Sequence, residues 1–218
     1  MMIVHELRKH NSIFNSFIAQ IRDENVQKDR MRFRRNLERI GEVIGYEISK
    51  TFSVEDKRIT TPLGEAIEKV HNEPLVLATI LRAGLPLHQG LLNYFDDAEN
   101  AFISAYRRHH KVDAFEIEIE YLSAPNLDGK TVILSDPMLA TGSSMVMAYK
   151  AILSKGTPAK VYVVSAIASV EGVEYVKKHM PANTQIWVGA IDDELTAQAY
   201  IVPGLGDAGD LAFGSKDS

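Results

Sequence analysis

The segment Thr131-Val-Ile-Leu-Ser-Asp136-Pro-Met-Leu-Ala-Thr141-Gly-Ser-Ser144 organises the rest of the chain. Its first four residues favour β-structure and predict a buried parallel strand that ends at Asp136. Pro137 prevents an early helix, and the small residues that follow form a turn opening a helix from Met145 to Leu153. Backbone amides, hydroxyls and the positive helix end in such a turn favour a phosphate. The acid before it suggests ribose hydroxyls or a magnesium ion nearby.

Outward from this segment, apolar runs of strand length alternate with helical patterns. Further strands are predicted at Leu75–Leu81, Ala101–Tyr106, Lys160–Ala168 and Thr184–Ile191, and a short hairpin at Thr51–Val54 and Arg58–Thr60. Helices are predicted over Ile13–Ile21, Phe33–Ile48, Leu63–Val70, Leu85–Phe95 and Val170–His179. The alternation predicts an α/β protein with a doubly wound, mostly parallel sheet and flanking helices.

One further strand has a different pattern. Phe115 to Tyr121 alternates strictly, which places Glu116, Glu118 and Glu120 on one face. This pattern predicts a half-exposed strand in an antiparallel flap.

Two cationic positions follow predicted strands. Arg82 comes directly after Leu75–Leu81, and Arg107 opens a basic cluster after Tyr106. The carboxyl ends of strands in open α/β sheets form the crevice in which ligands bind, so both positions are candidates for binding an anion. His109 and His110 lack an acid or third ligand nearby, and we therefore predict no metal site built by the protein alone.

The C-terminal stretch from Tyr200 to Asp210 is rich in glycine and proline, which predicts neither a helix nor an ordinary strand. Long irregular loops in compact domains are usually functional. Glycines bring backbone donors and acceptors close to a ligand, and a flat pyrimidine presents a matching alternation. The stretch is therefore a candidate for binding a base.

Composition narrows the class of protein. The 218 residues are 45% hydrophobic and 24% charged, as expected of a globular domain with a sizeable core. An excess of 29 acidic over 24 basic residues argues against nucleic-acid binding through bulk charge. The chain has no cysteine, no signal-peptide pattern and no apolar run of membrane length, from which we expect a cytoplasmic protein.

Several separate motifs resemble one family. Asp136-Pro-Met-Leu-Ala-Thr-Gly142 is similar to the phosphoribosyl pyrophosphate (PRPP) loop of type I phosphoribosyltransferases, in the form that uracil phosphoribosyltransferases carry. The resemblance extends, in chain order, to Arg32-Phe33-Arg34, Tyr46-Glu47, Ile80–Leu85, Tyr106-Arg107 and the C-terminal stretch. It therefore covers most of the chain.

The resemblance implies transfer of ribose 5-phosphate from PRPP to N1 of uracil. It implies roles in reaction or charge stabilisation for Asp136, Arg82, Arg107 and Asp207, and uracil contacts for Ile201, Gly206, Asp207 and Ala208. It implies PRPP contacts for Arg82, Arg107, Asp136, Pro137, Met138, Leu139, Ala140, Thr141, Gly142, Ser143, Ser144 and Asp207. Magnesium would be held mainly through PRPP.

The same resemblance implies a single domain with N-terminal helices over 1–50, a core over about 51–191 and a base-binding hood over 192–218. It also implies a homodimer or higher oligomer, and it raises GTP as an effector. The chain departs from the family at Ser143, where a second glycine is usual, in the acidic flap, and at Leu211-Ala212, where a basic residue is usual.

Two alternatives stay open. The first is a transferase for another base, which the hood argues against. The second is a nucleotide- or RNA-binding regulator with this fold, for which the five arginines between Arg30 and Arg39 and the altered flap speak. The acidic composition and the intact hood speak against it.

Overall fold

The computed structural model describes residues 2–109 and 115–215, except the side chains of 105–109 and 115–119. In chain order, the strands are β1 Ile3–Glu6, β2 Val54–Thr61, β3 Gly64–His71, β4 Leu75–Leu81, β5 Glu99–His109, β6 Phe115–Ser123, β7 Thr131–Ser135, β8 Met138–Leu139, β9 Lys160–Ser169, β10 Gln185–Asp192, β11 Glu194–Leu195 and β12 Ile201–Val202. The α-helices are α1 Phe14–Arg22, α2 Arg30–Ser49, α3 Leu85–Leu92, α4 Ser143–Ile152, α5 Val170–His179 and α6 Ala208–Phe213. Two short 3-10 turns follow β1 and α4, at Leu7–Lys9 and Leu153–Lys155.

One mixed sheet organises the chain, with the strand order β1-β10-β9-β7-β4-β5-β6 and with β8 added beside β9. All neighbouring strands on this path are parallel except β5 and β6, which are antiparallel. The chain moves outward from β4 to β5 in one direction and from β7 to β9 and β10 in the other. The topological switch point therefore lies between β4 and β7, and the predicted doubly wound sheet is confirmed.

Helices cover both faces of the sheet. The apolar stripes of α1 and α2, with Phe33, Ile40 and Ile44 fully buried, pack with α3 on one face. Residues of α4 and α5, among them Ile152 and Val176, fill the other face. These two cores are what the unbroken apolar runs of β4 and β7 require, because both faces of those strands are covered.

Four parts of the fold differ from the sequence predictions. The short hairpin predicted at Thr51–Val54 and Arg58–Thr60 does not form, because Arg58–Thr60 lies within strand β2, which pairs with β3 instead. The segment predicted as a helix over Leu63–Val70 is strand β3, which pairs antiparallel with β2 in a separate two-stranded sheet. Strand β1, at the sheet edge beside β10, was not predicted. The C-terminal stretch, predicted without regular structure, contains the two-residue strand β12 and the beginning of α6.

The reasons are physical. The β2–β3 hairpin is exposed on both faces, so no alternation of apolar residues marks its strands. Leu63 in the turn and Ala66, Ile67 and Val70 in the second strand instead stand at helical spacing. Strand β1 has four residues, which is too short to show a period.

Helices long and apolar enough to cross a membrane are absent from the part of the chain that the structure describes.

Candidate active site

A cavity of about 580 Å³ opens at the carboxyl ends of β4 and β7, at the switch point of the sheet. The register pairs Thr79 of β4 with Ser135 of β7, so the residues that follow these strands, Arg82 and Asp136, emerge side by side. The loop before α4 forms one wall of the cavity, and residues between 198 and 210 of the C-terminal segment form another. The sheet topology thus brings together segments that lie far apart in sequence.

The first wall has the form of an anion cradle. Gly142 precedes α4 with a φ of +79°, a conformation that glycine adopts readily and other residues rarely. It has no side chain with which to cap the helix, while Thr141 Oγ1 accepts a hydrogen bond from the Ser143 amide at 3.3 Å. Helix amides at an N-terminus attract anions, so Thr141, Gly142 and Ser144 present a phosphate-sized site to the cavity.

Asp136 follows directly after β7 and lines the cavity beside this wall. Its amide donates to Val164 O at 3.1 Å, and its Oδ1 accepts from the Met138 amide at 3.5 Å. These bonds fix the turn that carries the acid out of β7 and onto the cavity surface.

Arg82 reaches the cavity from the other side of the switch point. Its Nη2 donates to Gly214 O at 3.2 Å and lies 4.0 Å from Asp210 Oδ1. Its Nε is buried and has no hydrogen-bond partner among the described residues. The guanidinium is therefore incompletely paired within the chain, as expected of a group that binds an anion.

Gly84 explains why the segment after Arg82 is tight. A Cβ at Gly84 would lie 2.6 Å from Ile80 O and would overlap the Thr79 hydroxyl. Only glycine fits, so the chain can turn at once from β4 into α3 and hold Arg82 at the crevice.

The hood wall is held by an ion pair between partly buried Arg22 and buried Asp192. Arg22 donates to both carboxylate oxygens of Asp192, at 2.7 and 2.8 Å, and to Gly204 O at 3.0 Å. The Gly204 amide donates to the same carboxylate at 3.0 Å. Burial by itself raises the pKa of Asp192, but the hydrogen bonds and charge of Arg22 and the Gly204 amide outweigh it, so the pKa lies below its usual value.

Beyond Gly204, the hood turns back over the cavity. Gly206 has a φ of +91°, and Asp207 caps α6 by accepting from the Asp210 amide at 2.9 Å. Ile201, Leu205 and Ala208 are buried in the same core as α1 and α2. The hood is therefore an ordered part of the domain whose backbone faces the cavity.

The cavity also has a lip, of which only Tyr200 belongs to a stretch predicted from the sequence. Gln198, Ala199 and Tyr200 line it between β11 and β12, in a turn where the Thr196 amide donates to Tyr200 O at 2.8 Å. Ala199 has a φ of +62°, unusual for a residue other than glycine. Met145 and Ala83 also line the cavity and were not predicted, whereas Asp210, which lines it too, ends the predicted C-terminal stretch.

Most of the predicted residues meet at this one cavity. Those that line it are Arg82, Asp136, Met138, Leu139, Ala140, Thr141, Gly142, Ser144, Ile201, Gly206, Asp207 and Ala208. Pro137 is buried behind the wall, where its carbonyl accepts from the amides of Ala166 and Ile167 at 3.1 and 3.0 Å. Ser143 forms the first turn of α4 without lining the cavity.

The flap is confirmed as an antiparallel pair of β5 and β6. Arg107 belongs to β5, and its backbone pairs with that of Ile117 in β6. The side chains of Arg107, Glu116 and Glu118 lie outside what the structure describes. Glu120 is exposed. His110 lies outside the described residues, among which no group of three metal-binding side chains is found.

The arginines of α2 contact other parts of the same chain. Arg34 donates to Ala212 O at 2.7 Å and lies over the Phe213 ring. Arg35 pairs with Glu38 at 2.5 Å, and Arg39 donates to Asn36 Oδ1 at 3.1 Å. Arg34 therefore fastens the hood to α2, whereas Arg35 and Arg39 make contacts within α2 itself.

Comparison with known proteins agrees with the site. The family model described as uracil phosphoribosyltransferase matches residues 8–215. A uracil phosphoribosyltransferase of Porphyromonas gingivalis is 54% identical over 216 residues, which cover 99% of this chain and 100% of the relative. One of Pyrococcus furiosus is 40% identical over 200 residues, covering 90% of this chain and 84% of the relative.

A solved structure shares the architecture. The AQ2163 protein of Aquifex aeolicus superposes with a TM-score of 0.86 at 32% identity, covering 97% of this chain and 98% of that one. The family model, the relatives and this structure each span nearly the whole chain. The chain belongs to the uracil phosphoribosyltransferase family.

Proposed function

We propose that the chain transfers ribose 5-phosphate from PRPP to N1 of uracil and releases pyrophosphate, so that it forms UMP in pyrimidine salvage. The observation that carries this proposal is the meeting, around one cavity, of an anion cradle, an incompletely paired arginine and a backbone-rich hood. Each feature suits a different part of the two substrates.

The cradle at α4 suits the 5-phosphate. The amides and hydroxyls from Ala140 to Ser144 would bind its oxygens, and the helix dipole would favour its charge. Asp136 lies on the cavity surface beside this cradle, where its carboxylate would accept hydrogen bonds from the ribose hydroxyls. The sugar would then be held at both ends, with C1 directed toward the hood.

The pyrophosphate would lie on the opposite side of the switch point. Arg82 is the described cation on that wall, and Arg107 follows on the neighbouring strand β5. We assign both to the departing polyanion, since a guanidinium binds two phosphate oxygens at once.

The residues present fit a magnesium ion that is held mainly by the substrate. Magnesium keeps oxygen ligands and is commonly held by one or two carboxylates together with substrate phosphates. Asp136 and Asp207 line the cavity, while the described residues form no metal cage of their own. When bound, magnesium would neutralise part of the charge on the leaving pyrophosphate.

The hood suits uracil. A pyrimidine edge alternates donors and acceptors, which the backbone at Ile201, Gly206 and Ala208 would pair. The positive φ of Gly206 turns the backbone where a side chain is disfavoured, and Ile201 and Ala208 are buried and therefore fixed. The hood's match to uracil enzymes favours uracil over a purine.

The reaction breaks the bond from C1 to a pyrophosphate oxygen and forms a bond from C1 to N1 of uracil, which loses its proton. Positive charge develops on the ribose ring, as in glycoside hydrolysis. Asp207, which lines the cavity from the hood, and Asp136 would stabilise this charge, while Arg82 and Arg107 would stabilise the leaving group. Positioning supplies much of the remaining rate enhancement.

The rest of the assignment concerns the whole protein. We propose one domain over 1–218 with the hood at 192–218, located in the cytoplasm. We propose a homo-oligomer, supported by the exposed apolar residues of the β2–β3 hairpin, and GTP as an effector.

The test is release of pyrophosphate from PRPP and magnesium, with uracil, cytosine, hypoxanthine or orotate supplied separately. We expect turnover with uracil alone. Turnover with a purine only would contradict the assignment of the base. PRPP binding without turnover on any base would favour the regulator alternative. RNA retained on the protein and released by salt would support that alternative further.

A further inference from the structure

A buried hydroxyl lies behind the anion cradle, on the side away from the cavity. Ser169 is fully buried at the corner where β9 ends and α5 begins. Its Oγ donates to Ala140 O at 2.5 Å and accepts from the Gly172 amide at 2.8 Å. One hydroxyl thus caps α5 and anchors the loop between β7 and α4 at the same time.

The surroundings of Ser169 bring α5 unusually close to this loop. A Cβ on Gly172 would lie 2.6 Å from Leu139 O, and a Cβ on Gly142 would lie 2.8 Å from Gly172 O. Tyr175, one turn further along α5, lies against Gly142 on the same side. The two glycines therefore allow the first turn of α5 to form the rear support of the cradle.

The loop is also fastened before it reaches Ser169. The Pro137 carbonyl accepts from two amides of β9, and β8 pairs in parallel with Ile167 and Ala168. The last fixed point is Ala140 O, immediately before the residues that present their amides and hydroxyls to the cavity. No other hydrogen bond to Ala140 O is found within the described part of the chain.

We propose that Ser169 is a positioning residue for PRPP, which acts by holding the Ala140 carbonyl and so orienting the amides from Thr141 to Ser144. This inference rests on the proposed function, because it assumes that the cradle binds the 5-phosphate. Ser169 does not line the cavity, so its hydroxyl would act on the cradle and not on the substrate directly.

The proposal predicts which kinetic constant changes. Without the hydroxyl, the cradle loses the hydrogen bond that fixes its entry, while the hood and Arg82 keep their contacts. The Ser169→Ala variant should therefore raise the KM for PRPP about tenfold, a factor expected from the loss of one well-placed hydrogen bond. The KM for uracil and kcat at saturating PRPP should stay within about twofold.

Two further variants separate positioning from stability. Ser169→Thr keeps a hydroxyl at the helix cap and should return the KM for PRPP to within about threefold of the original value. Asp29→Ala is the matched control, because Asp29 caps α2 by accepting from the Arg32 amide at 3.1 Å, away from the cradle. It should lower the melting temperature and leave the KM for PRPP unchanged.

Several outcomes would overturn the proposal. One is an unchanged KM for PRPP in Ser169→Ala. Another is a rise in the KM values for PRPP and for uracil together with an equal fall in kcat, which would indicate general damage to the fold. A Thr variant as weak as the Ala variant, or a raised KM for PRPP in Asp29→Ala, would do the same.

Binding distinguishes this proposal from the proposed function. Calorimetric titration of PRPP with magnesium measures the cradle whether or not uracil reacts. If the original chain binds PRPP without turnover, the proposed reaction is wrong, and weaker PRPP binding by Ser169→Ala still supports the positioning role. If turnover occurs and both chains bind PRPP equally, only the positioning role is wrong.

Discussion

Arg82 is the residue on which the proposed chemistry depends most directly. It follows β4 at the switch point, and its guanidinium is incompletely paired within the described residues. Arg82→Ala should lower kcat/KM for PRPP by about 10² to 10³, as removal of a preorganised donor to developing negative charge does in other enzymes. Steady-state kinetics at varied PRPP would check this prediction.

The matched control is Arg58→Ala in the β2–β3 hairpin, where an exposed arginine pairs with Glu65 at 3.0 Å. Exposed pairs contribute little, so its kinetics and stability should stay close to the original. Unchanged turnover in Arg82→Ala would remove Arg82 from the mechanism.

Asp192 determines a second prediction, on acid stability. The pKa of Asp192 in the folded chain lies below its usual value, because Arg22 and the Gly204 amide outweigh the effect of burial. The stabilisation from this carboxylate is therefore fully present above about pH 4 and is lost as pH falls through the lower, folded pKa. Below both values the protonated acid contributes none of it.

Asp192→Asn tests this prediction. At pH 7 it should lower the free energy of unfolding by about 3 kcal/mol, since it leaves the partly buried Arg22 charge without its partner. The difference from the original chain should shrink as pH falls below about 4. Denaturant unfolding at pH 7 and pH 3 would measure both values, and a difference that is constant with pH would contradict the assignment.

At the residue scale, the sequence located the residues that line the cavity where they lie in one contiguous string. The residues from Asp136 to Ser144 and from Ile201 to Ala208 are contiguous motifs, and almost all of those predicted line the cavity. Sequence prediction failed where a role arises only from tertiary proximity. Ser169, Arg22 and the lip at Gln198 belong to no local pattern, because each acts on a segment distant in sequence.

The crossing of α2 and α3 carries a prediction at the scale of elements. A Cβ on Gly41 would lie 3.2 Å from Gly90 Cα and would overlap Leu87 O, whereas a Cβ on Gly45 would make ordinary contact with Phe95 at 3.4 Å. Gly41→Ala should therefore destabilise the chain by about 1 to 3 kcal/mol through overpacking. Gly45→Ala should stabilise it by up to about 1 kcal/mol through helix propensity.

Each variant is the matched control for the other, because both replace glycine with alanine and the two positions lie one turn apart on the same helix. Urea unfolding would measure both. Equal effects would mean that the close approach of α2 and α3 does not determine the tolerance for a side chain.

Elements of the sheet were predictable to the extent that they are buried. Strands β4, β7 and β9 are almost wholly buried, and their unbroken apolar runs located them within a residue or two. The β2–β3 hairpin is exposed, so its apolar pattern does not mark its strands, and only Arg58–Thr60 within β2 was predicted as strand. Its helical spacing gave a wrong prediction because tertiary surroundings, rather than period, decided the structure.

At the scale of the whole molecule, the hairpin is the feature that the described fold leaves unexplained. It forms its own two-stranded sheet, apart from the main sheet. Leu63 at its tip is 100% exposed, Ile67 is 62% exposed and Val54 is 57% exposed. An isolated hairpin is marginally stable in water, and exposed apolar side chains of this kind are typical of a protein interface.

The proposed homo-oligomer accounts for these exposed residues if the hairpin contacts a second copy of the chain. Burying Leu63 and Ile67 would contribute about 1.5 to 3 kcal/mol each, enough to shift association strongly. The double substitution Leu63→Glu and Ile67→Glu should therefore convert the oligomer into a species with the mass of one chain. Light scattering coupled to size-exclusion chromatography, over a range of concentrations, would measure the change.

Ile13→Glu is the control variant. It adds a charge at another exposed apolar position, 67% exposed and directly before α1, and it should leave the mass unchanged. If the original chain has the mass of one chain, or the double variant keeps the oligomer, the hairpin is not the interface.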